Sequence, residues 1–208
     1  IFPDRLMMLF AEDILKHHPG EPIVYDVKCS RKLVDWVKAK GGVPTISPTG
    51  HSLVKAKLRD THAPFAGEMS GHLFFNDERW TGFDDGLYAA VRLLEILSRT
   101  DDPSGVLSKL PNAVNTPELQ IPMAEGEPKR FIERLRAEAG QFTDAADVIN
   151  VDGLRVEWKD GFALARSSNT TPVVVLRFEG DTPEALKRVK TRFIEVLRSI
   201  EPNLVIPE

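Results

Sequence analysis

Residues 23–60, IVYDVKCSRKLVDWVKAKGGVPTISPTGHSLVKAKLRD, decide the fold. Ile23 to Val27 is a short apolar run of the kind a buried strand needs, and Leu33 to Lys40 reads as a helix that stops at Gly41-Gly42. Val43 to Ile46 reads as a second strand and His51 to Asp60 as a second helix. Strands alternating with helices in this way predict an α/β sandwich domain with a mixed, largely parallel sheet. Upstream, residues 3–18 read as a helix opening at Pro3, with Leu6, Phe10 and Ile14 four apart on one face and Pro19-Gly20 as its stop. Downstream, the apolar positions Leu87, Val91, Leu94 and Leu97 predict an amphipathic helix over Leu87 to Ser98 that closes the same domain.

The composition shifts after Thr100. Asp101-Asp102-Pro103-Ser104-Gly105 and Pro111-Asn112-Ala113 are rich in turn formers and mark a boundary. Beyond it the order becomes strand (Glu118 to Pro122), helix (Pro128 to Ala139), several short strands, then helix (Pro183 to Ser199). Val151 to Trp158 and Phe162 to Ala165 flank Lys159-Asp160-Gly161, a hairpin signal. This half predicts a smaller α+β domain with an antiparallel sheet. The expected division is an α/β domain over 1–110 and an α+β domain over 111–208, with Asp101 to Thr116 as a candidate hinge.

The 208 residues carry a formal net charge of -4 with both signs interspersed and no long Lys/Arg run, which argues against a nucleic-acid partner. No apolar stretch approaches the ~20 residues of a membrane helix, and no charged-then-apolar leader opens the sequence. The single cysteine, Cys29, cannot form an internal disulfide, which fits a reducing compartment. The expectation is a cytoplasmic protein with neither membrane nor nucleic acid as partner.

Two loops carry the chemistry. Arg166-Ser167-Ser168-Asn169-Thr170-Thr171-Pro172 gathers a guanidinium, four hydroxyls and an amide between two apolar strand-like runs. A planar fork of donors grips two phosphate oxygens at once, whereas Ser, Asn and Thr also serve as ordinary turn and capping residues. Composition alone leaves both readings open. Gly67-Glu68-Met69-Ser70-Gly71-His72 lies between Pro64 to Ala66 and Leu73 to Phe75. If that segment is extended, Glu68, Ser70 and His72 face one way. A carboxylate and a hydroxyl on one face suit vicinal sugar hydroxyls, which need acceptors and donors together.

The two segments together resemble the α-D-phosphohexomutase family, most closely its bacterial phosphomannomutase/phosphoglucomutase branch. There, G-E-M-S-G-H is the sugar-specificity loop of the third domain and R-x-S-N-T-x-P the phosphate-binding loop of the fourth. Asp26-Val27-Lys28-Cys29-Ser30-Arg31, Thr49-Gly50-His51-Ser52 and Asp84-Asp85-Gly86 extend the resemblance over almost the whole chain. It implies an isomerase that interconverts hexose 1-phosphate and hexose 6-phosphate. A phosphoserine donates to the sugar, a bisphosphorylated sugar such as glucose 1,6-bisphosphate serves as intermediate and activator, and magnesium assists. The resemblance also implies two earlier domains, with the serine in a T-A-S-H-N-P-like segment and the metal ligands in a D-G-D-x-D-R-like loop. Neither string occurs here, and the chain opens at Ile1 without an initiator methionine. The expectation is the C-terminal half of such an enzyme, inactive alone, with hexose phosphates and the missing N-terminal domains as its partners. The competing expectation is a stand-alone, non-catalytic phosphosugar-binding module.

Matched position by position, the family assigns Arg166, Ser168, Asn169 and Thr170 to the distal phosphate and Glu68 and Ser70 to adjacent sugar hydroxyls. His72 gives acid/base support, and Lys28 and His51 lie in the active-site cleft. Independent chemistry runs alongside. Lys28 follows an apolar strand, where α/β folds place ligand groups, and His51 opens a helix whose N-terminus favours anions. Histidine suits proton transfer near neutral pH. Ser167 and Thr171 are read as shaping the phosphate loop, Cys29 as structural, and Trp36, Trp80 and Trp158 as packing aromatics. His17, His18 and His62 lack a spaced carboxylate or cysteine, so no metal site is expected in these residues.

Overall fold

The computed structural model describes residues 1–207. Along the first unit, Ile1–Asn112, come α1 (Pro3–Leu15), β1 (Pro22–Asp26), α2 (Arg31–Ala39), β2 (Val43–Ser47), α3 (His51–Asp60), β3 (Phe65–Gly67), β4 (Leu73–Phe75), α4 (Gly86–Leu97) and α5 (Pro103–Ser108). The sheet order is β2-β1-β3-β4, with β1 parallel to β2 and β3, and β4 antiparallel to β3. The sheet is thus mixed and mostly parallel. Successive side chains of β1 point to opposite faces, and each face meets helices. Ile23 and Tyr25 join Met7, Phe10, Ile14, Leu33, Val37 and Ala89, from α1, α2 and α4. Val24 joins Val54 and Leu58 of α3. At the centre of the larger layer, the Phe10 ring lies 5.8 Å from Phe65 and 5.1 Å from Phe75, and those two lie 4.9 Å apart.

The helix expected over 3–18 ends at Leu15. His17 and His18 donate their amides to Ile14 in a closing turn, and the residue before Pro19 is disfavoured in helical geometry. The candidate hinge needs a larger correction, because Asp101 to Thr116 is not one flexible connector. Within it α5 is a helix capped by Asp102, whose carboxylate accepts from the Gly105 amide at 2.8 Å. Leu110 is buried in the first core, and Arg5 donates to the carbonyls of Leu110 at 2.7 Å and Pro111 at 3.0 Å. Up to Asn112 the segment belongs to the first unit.

The second unit runs from Ala113. Its elements are β5 (Val114–Asn115), β6 (Leu119–Pro122), α6 (Glu127–Ala137), a 3-10 turn at Ala139–Gln141, β7 (Asp147–Ile149), β8 (Leu154–Trp158), β9 (Gly161–Ser167), β10 (Val173–Gly180) and α7 (Pro183–Ile200). The sheet is antiparallel, in the order β5-β10-β9-β8-β7, with β6 also paired to β10. Trp158 pairs with Gly161 across a turn at Lys159-Asp160, as the hairpin signal predicts. Glycine is required at 161 because a Cβ there would come within 2.3 Å of the Glu179 carbonyl. Alternate residues Val156, Ala163, Ala165, Val174, Leu176 and Phe178 form one core with Phe131 and Leu135 of α6 and Phe193 and Leu197 of α7. Trp36 and Trp80 pack on the first core and Trp158 in the second, as expected.

The Phe10 cluster gives a direct test. Phe10→Ala removes the ring that touches both Phe65 and Phe75, and the expected cost is ~3–5 kcal/mol. Denaturant unfolding measures the loss. Residue-resolved hydrogen exchange should place the lost protection within 1–112, and unchanged protection there would contradict the packing described.

Candidate functional site

The C-terminal end of β1 fixes the first group of residues. Asp26 is fully buried, and its carboxylate collects donors from two other loops as well as its own. Oδ1 accepts from the Met69 amide at 2.9 Å and from Cys29 Sγ at 3.1 Å, and Oδ2 accepts from Thr49 Oγ1 at 2.8 Å. The segment bearing Lys28, the entry to α3 and the 67–72 loop therefore meet at one buried side chain. Cys29 is fully buried and held in this contact, consistent with the structural role expected of it.

The 67–72 segment is not extended. Glu68 donates its amide to the His72 carbonyl at 2.9 Å, and the Gly71 amide donates to the Glu68 carbonyl at 3.0 Å, so the segment is a tight turn joining β3 to β4. Gly71 sits at φ +99°, a conformation open to glycine, which is what allows the reversal. The expectation that Glu68, Ser70 and His72 share one face by strand alternation is therefore overturned. Glu68 points inward and is 1% exposed, while Ser70 and His72 are on the surface. The tertiary fold brings others together instead. The His51 ring lies 5.8 Å from the His72 ring, and Lys28 and His72 both act on the Glu68 carboxylate through space.

Glu68 Oε1 accepts from the Gly50 amide at 2.7 Å, at the N-cap of α3. The anion at that helix start is thus the protein's own carboxylate. Oε2 is buried with no hydrogen-bond partner. Burial raises the Glu68 pKa above the ordinary carboxylate value. The Gly50 hydrogen bond opposes the rise, and the nearby Asp26 charge adds to it. His72 Nδ1 lies 2.5 Å from Asp84 Oδ2.

The second group sits on β9 and the loop after it. Arg166 is 4% exposed, and its Nε donates to Asp152 Oδ2 at 2.8 Å. Its Nη2 is buried without a hydrogen-bond partner. Asp152 lies in the turn before β8, and Arg136 of α6 holds that turn by donating to the carbonyls of Gly153 at 2.9 Å and Asn150 at 3.1 Å. Only glycine fits at 153: φ is +81°, and a Cβ would come within 2.1 Å of the Ala165 carbonyl. Ser168 organises the next loop. Its hydroxyl oxygen accepts from the amides of Thr170 and Thr171, both at 3.3 Å, and from Thr171 Oγ1 at 3.0 Å. Thr171 shapes the loop, as expected, and Ser168 does so too, beyond the ligand role assigned to it. Asn169 and Thr170 are exposed at the tip. Sequence reading found Asp26, Thr49, Gly50 and Asp84 within motifs but gave them no role, and it missed Asp152, whose only signal is a lone Asp-Gly turn pair.

Among the described residues no three His, Cys, Asp or Glu side chains come together as a metal site requires, so the implied magnesium finds no ligand set here. Among the same residues no helix is long and apolar enough to cross a membrane.

A model of phosphoglucomutase/phosphomannomutase α/β/α domain III matches residues 2–114, and one of the C-terminal domain of the same enzymes matches 118–196. The chain belongs to the phosphoglucomutase/phosphomannomutase family. It is 52% identical over all 208 residues to a phosphoglucomutase of Neisseria gonorrhoeae, covering 45% of that protein. It is 48% identical to a phosphomannomutase/phosphoglucomutase of Pseudomonas aeruginosa, covering 44%. A crystal structure of a phosphoglucomutase/phosphomannomutase family protein from Burkholderia thailandensis matches the whole chain with 58% identity and a TM-score of 0.94, again over 44% of its own length. The chain thus spans somewhat under half of the relatives it matches. Both sequence motifs lie inside the matched phosphoglucomutase/phosphomannomutase domains, the sugar-type loop in the first and the phosphate-type loop in the second.

The raised Glu68 pKa has a sign that can be checked. Below about pH 4.3, the ordinary glutamate value, the side chain is neutral in both folded and unfolded chains and costs nothing. As pH rises, the unfolded chain ionises first, so the first unit loses stability until pH passes the folded pKa, and the cost is constant above it. Glu68→Gln does not titrate. Its stability relative to wild type should therefore improve as pH rises above about 4.3 and then level off, read from urea midpoints. A shift in the other direction would show that the fold stabilises the carboxylate.

Proposed function

We propose that this chain is the C-terminal part of a mutase that interconverts hexose 1-phosphate and hexose 6-phosphate through a bisphosphorylated sugar. In this reading the first unit recognises sugar hydroxyls and the second holds the phosphate that is not being transferred. The phosphoryl donor and metal ligands lie in an N-terminal part corresponding to the rest of the longer relatives. The observation that carries the reading is Arg166. A buried guanidinium with one edge committed to Asp152 and Nη2 unpaired, beneath a loop of hydroxyls, is prepared for an oxyanion rather than for solvent.

The chain's own groups supply binding and orientation. Arg166 is immobilised before ligand arrives, so little side-chain freedom is lost on binding. The Ser168 oxygen is engaged as an acceptor, which leaves its O–H to donate to a phosphate oxygen. Asn169 and Thr170 add donors at the tip, each charge-assisted bond contributing ~1.5–3 kcal/mol. In the first unit, the unpaired Oε2 of Glu68 accepts from one sugar hydroxyl and Ser70 engages its neighbour, with Lys28 and His51 beside them. A phosphate grip that presents donors to the phosphate oxygens accepts either end of a hexose bisphosphate, as two successive transfers require. Glucose 1,6-bisphosphate fits as the activator, and the single buried thiol suits a cytoplasmic enzyme.

Two outcomes are expected. The purified 208-residue chain should not convert glucose 1-phosphate to glucose 6-phosphate even with magnesium and a bisphosphate activator, and measurable turnover would refute the assignment of the donor elsewhere. In the complete enzyme, Arg166→Ala should lower kcat/KM about 10²-fold or more, equivalent to ~3 kcal/mol. Arg166→Lys should be impaired as well, because an ammonium cannot bond Asp152 and phosphate through a planar fork. Wild-type kinetics for the lysine variant would mean that Arg166 acts only as a charge, or lies outside the site.

A further inference from the structure

The Asp84-Asp85-Gly86 motif has no part in the binding scheme above, yet its first carboxylate touches His72, a side chain suited to proton transfer. We infer that Asp84 is a positioning residue for His72, holding its ring as the Nδ1–H tautomer and presenting Nε2 as the proton-accepting atom. An ionised carboxylate can only accept, so across the 2.5 Å contact between Asp84 Oδ2 and His72 Nδ1 the ring nitrogen is the donor. A neutral imidazole with its hydrogen on Nδ1 carries its lone pair on Nε2.

Both ends of this contact are fixed by the backbone. Asp84 forms an isolated bridge with Phe74 of β4, and the next residue, Asp85, caps α4 by accepting from the amides of Leu87 at 2.9 Å and Tyr88 at 3.0 Å. The backbone at Asp84 is thus held from both sides. His72 is tied through its carbonyl to the Glu68 amide. The pair is nevertheless open to solutes, with side-chain exposures of 45% for His72 and 34% for Asp84. A structural ion pair would gain little at that exposure, since surface pairs contribute ~0–1 kcal/mol. The arrangement makes chemical sense as an oriented base beside Glu68 and His51.

The catalytic meaning rests on the function proposed above. When the reacting hexose hydroxyl lies beside His72, its O–H bond breaks as its oxygen bonds the transferring phosphorus, the proton binds the Nε2 lone pair, and the bond from phosphorus to the donor oxygen breaks with its electron pair left on that oxygen. Asp84 offsets the charge of the imidazolium that forms. The ring returns the proton in the reverse direction.

Two readouts separate this inference from the function it rests on. In nitrogen-15 spectra of the 208-residue chain, recorded at a pH where the ring is neutral, His72 should show a protonated Nδ1 and an unprotonated Nε2, and Asp84→Ala should abolish that preference. A wild-type ring protonated at Nε2 alone would overturn the placement. In the complete enzyme, Asp84→Ala and the size-conserving Asp84→Asn should each lower kcat about 10²-fold, with KM changed less than about threefold. Combining Asp84→Asn with His72→Ala should cost no more than His72→Ala alone. Additive losses, or an effect on KM only, would show that Asp84 does not act through His72. If Asp84→Ala fails to fold, the asparagine variant and the double mutant carry the test. Absence of mutase activity in the wild-type complete enzyme would sink the proposed function, and the tautomer result would then decide the Asp84 contact by itself.

Discussion

A single buried carboxylate organises the first unit's chemistry. Asp26 ends the central strand of a sheet whose neighbours run parallel on both sides, so three βα or ββ connections leave the same edge close together. Parallel strands place their C-terminal ends on one edge, where ligand groups collect. Close approach alone does not fix loops relative to one another. The Asp26 carboxylate does so by accepting from Met69, Thr49 and Cys29 at once. A carboxyl group with no exposure is costly unless its oxygens find partners, so the fold holds these three donors in place or leaves buried acceptors unsatisfied. Glu68 repeats the device on a smaller scale at the start of α3, with one oxygen filled and one not.

The second unit solves a related problem with the opposite sign. Arg166 is nearly as buried as a core side chain, and Asp152 neutralises one edge of its fork. The position of Asp152 depends in turn on a glycine that lets its turn lie against β9, and on Arg136 reaching that turn from the helix layer. Each unit thus carries a buried ionic group with part of its hydrogen-bonding capacity unused. Protein interiors seldom leave such capacity idle, and outside the candidate site Arg92 Nε likewise makes no hydrogen bond.

The architecture was legible because it rests on local pattern. Alternation of apolar runs with amphipathic helices gave the first domain's order, and the Lys159-Asp160 turn with its flanking strands gave the second's hairpin. What failed did so for identifiable reasons. Strand alternation could not foresee the orientation of Glu68, Ser70 and His72, because Gly71 adopts a positive φ and turns the segment back on itself. Turn-forming composition marked residues 101–116 as a boundary and candidate hinge, whereas a capped helix and the Arg5 contacts fix much of that stretch. The partnerships of Arg166 with Asp152 and of His72 with Asp84 join residues 14 and 12 apart, and only strand register brings them together. The types of residue at the candidate site could be read from the chain, but their holders could not.

The Arg5 contacts have a consequence for how such a unit is accommodated in a longer polypeptide. Arg5 lies in the first turn of the first helix, and Leu110 and Pro111 are among the last residues of the same unit, yet one arginine side chain spans the distance between them. The chain therefore enters and leaves this body at nearly the same place. Domain insertion is tolerated where chain termini lie close together, so a unit with adjoining ends can be carried within a longer chain without its core being opened.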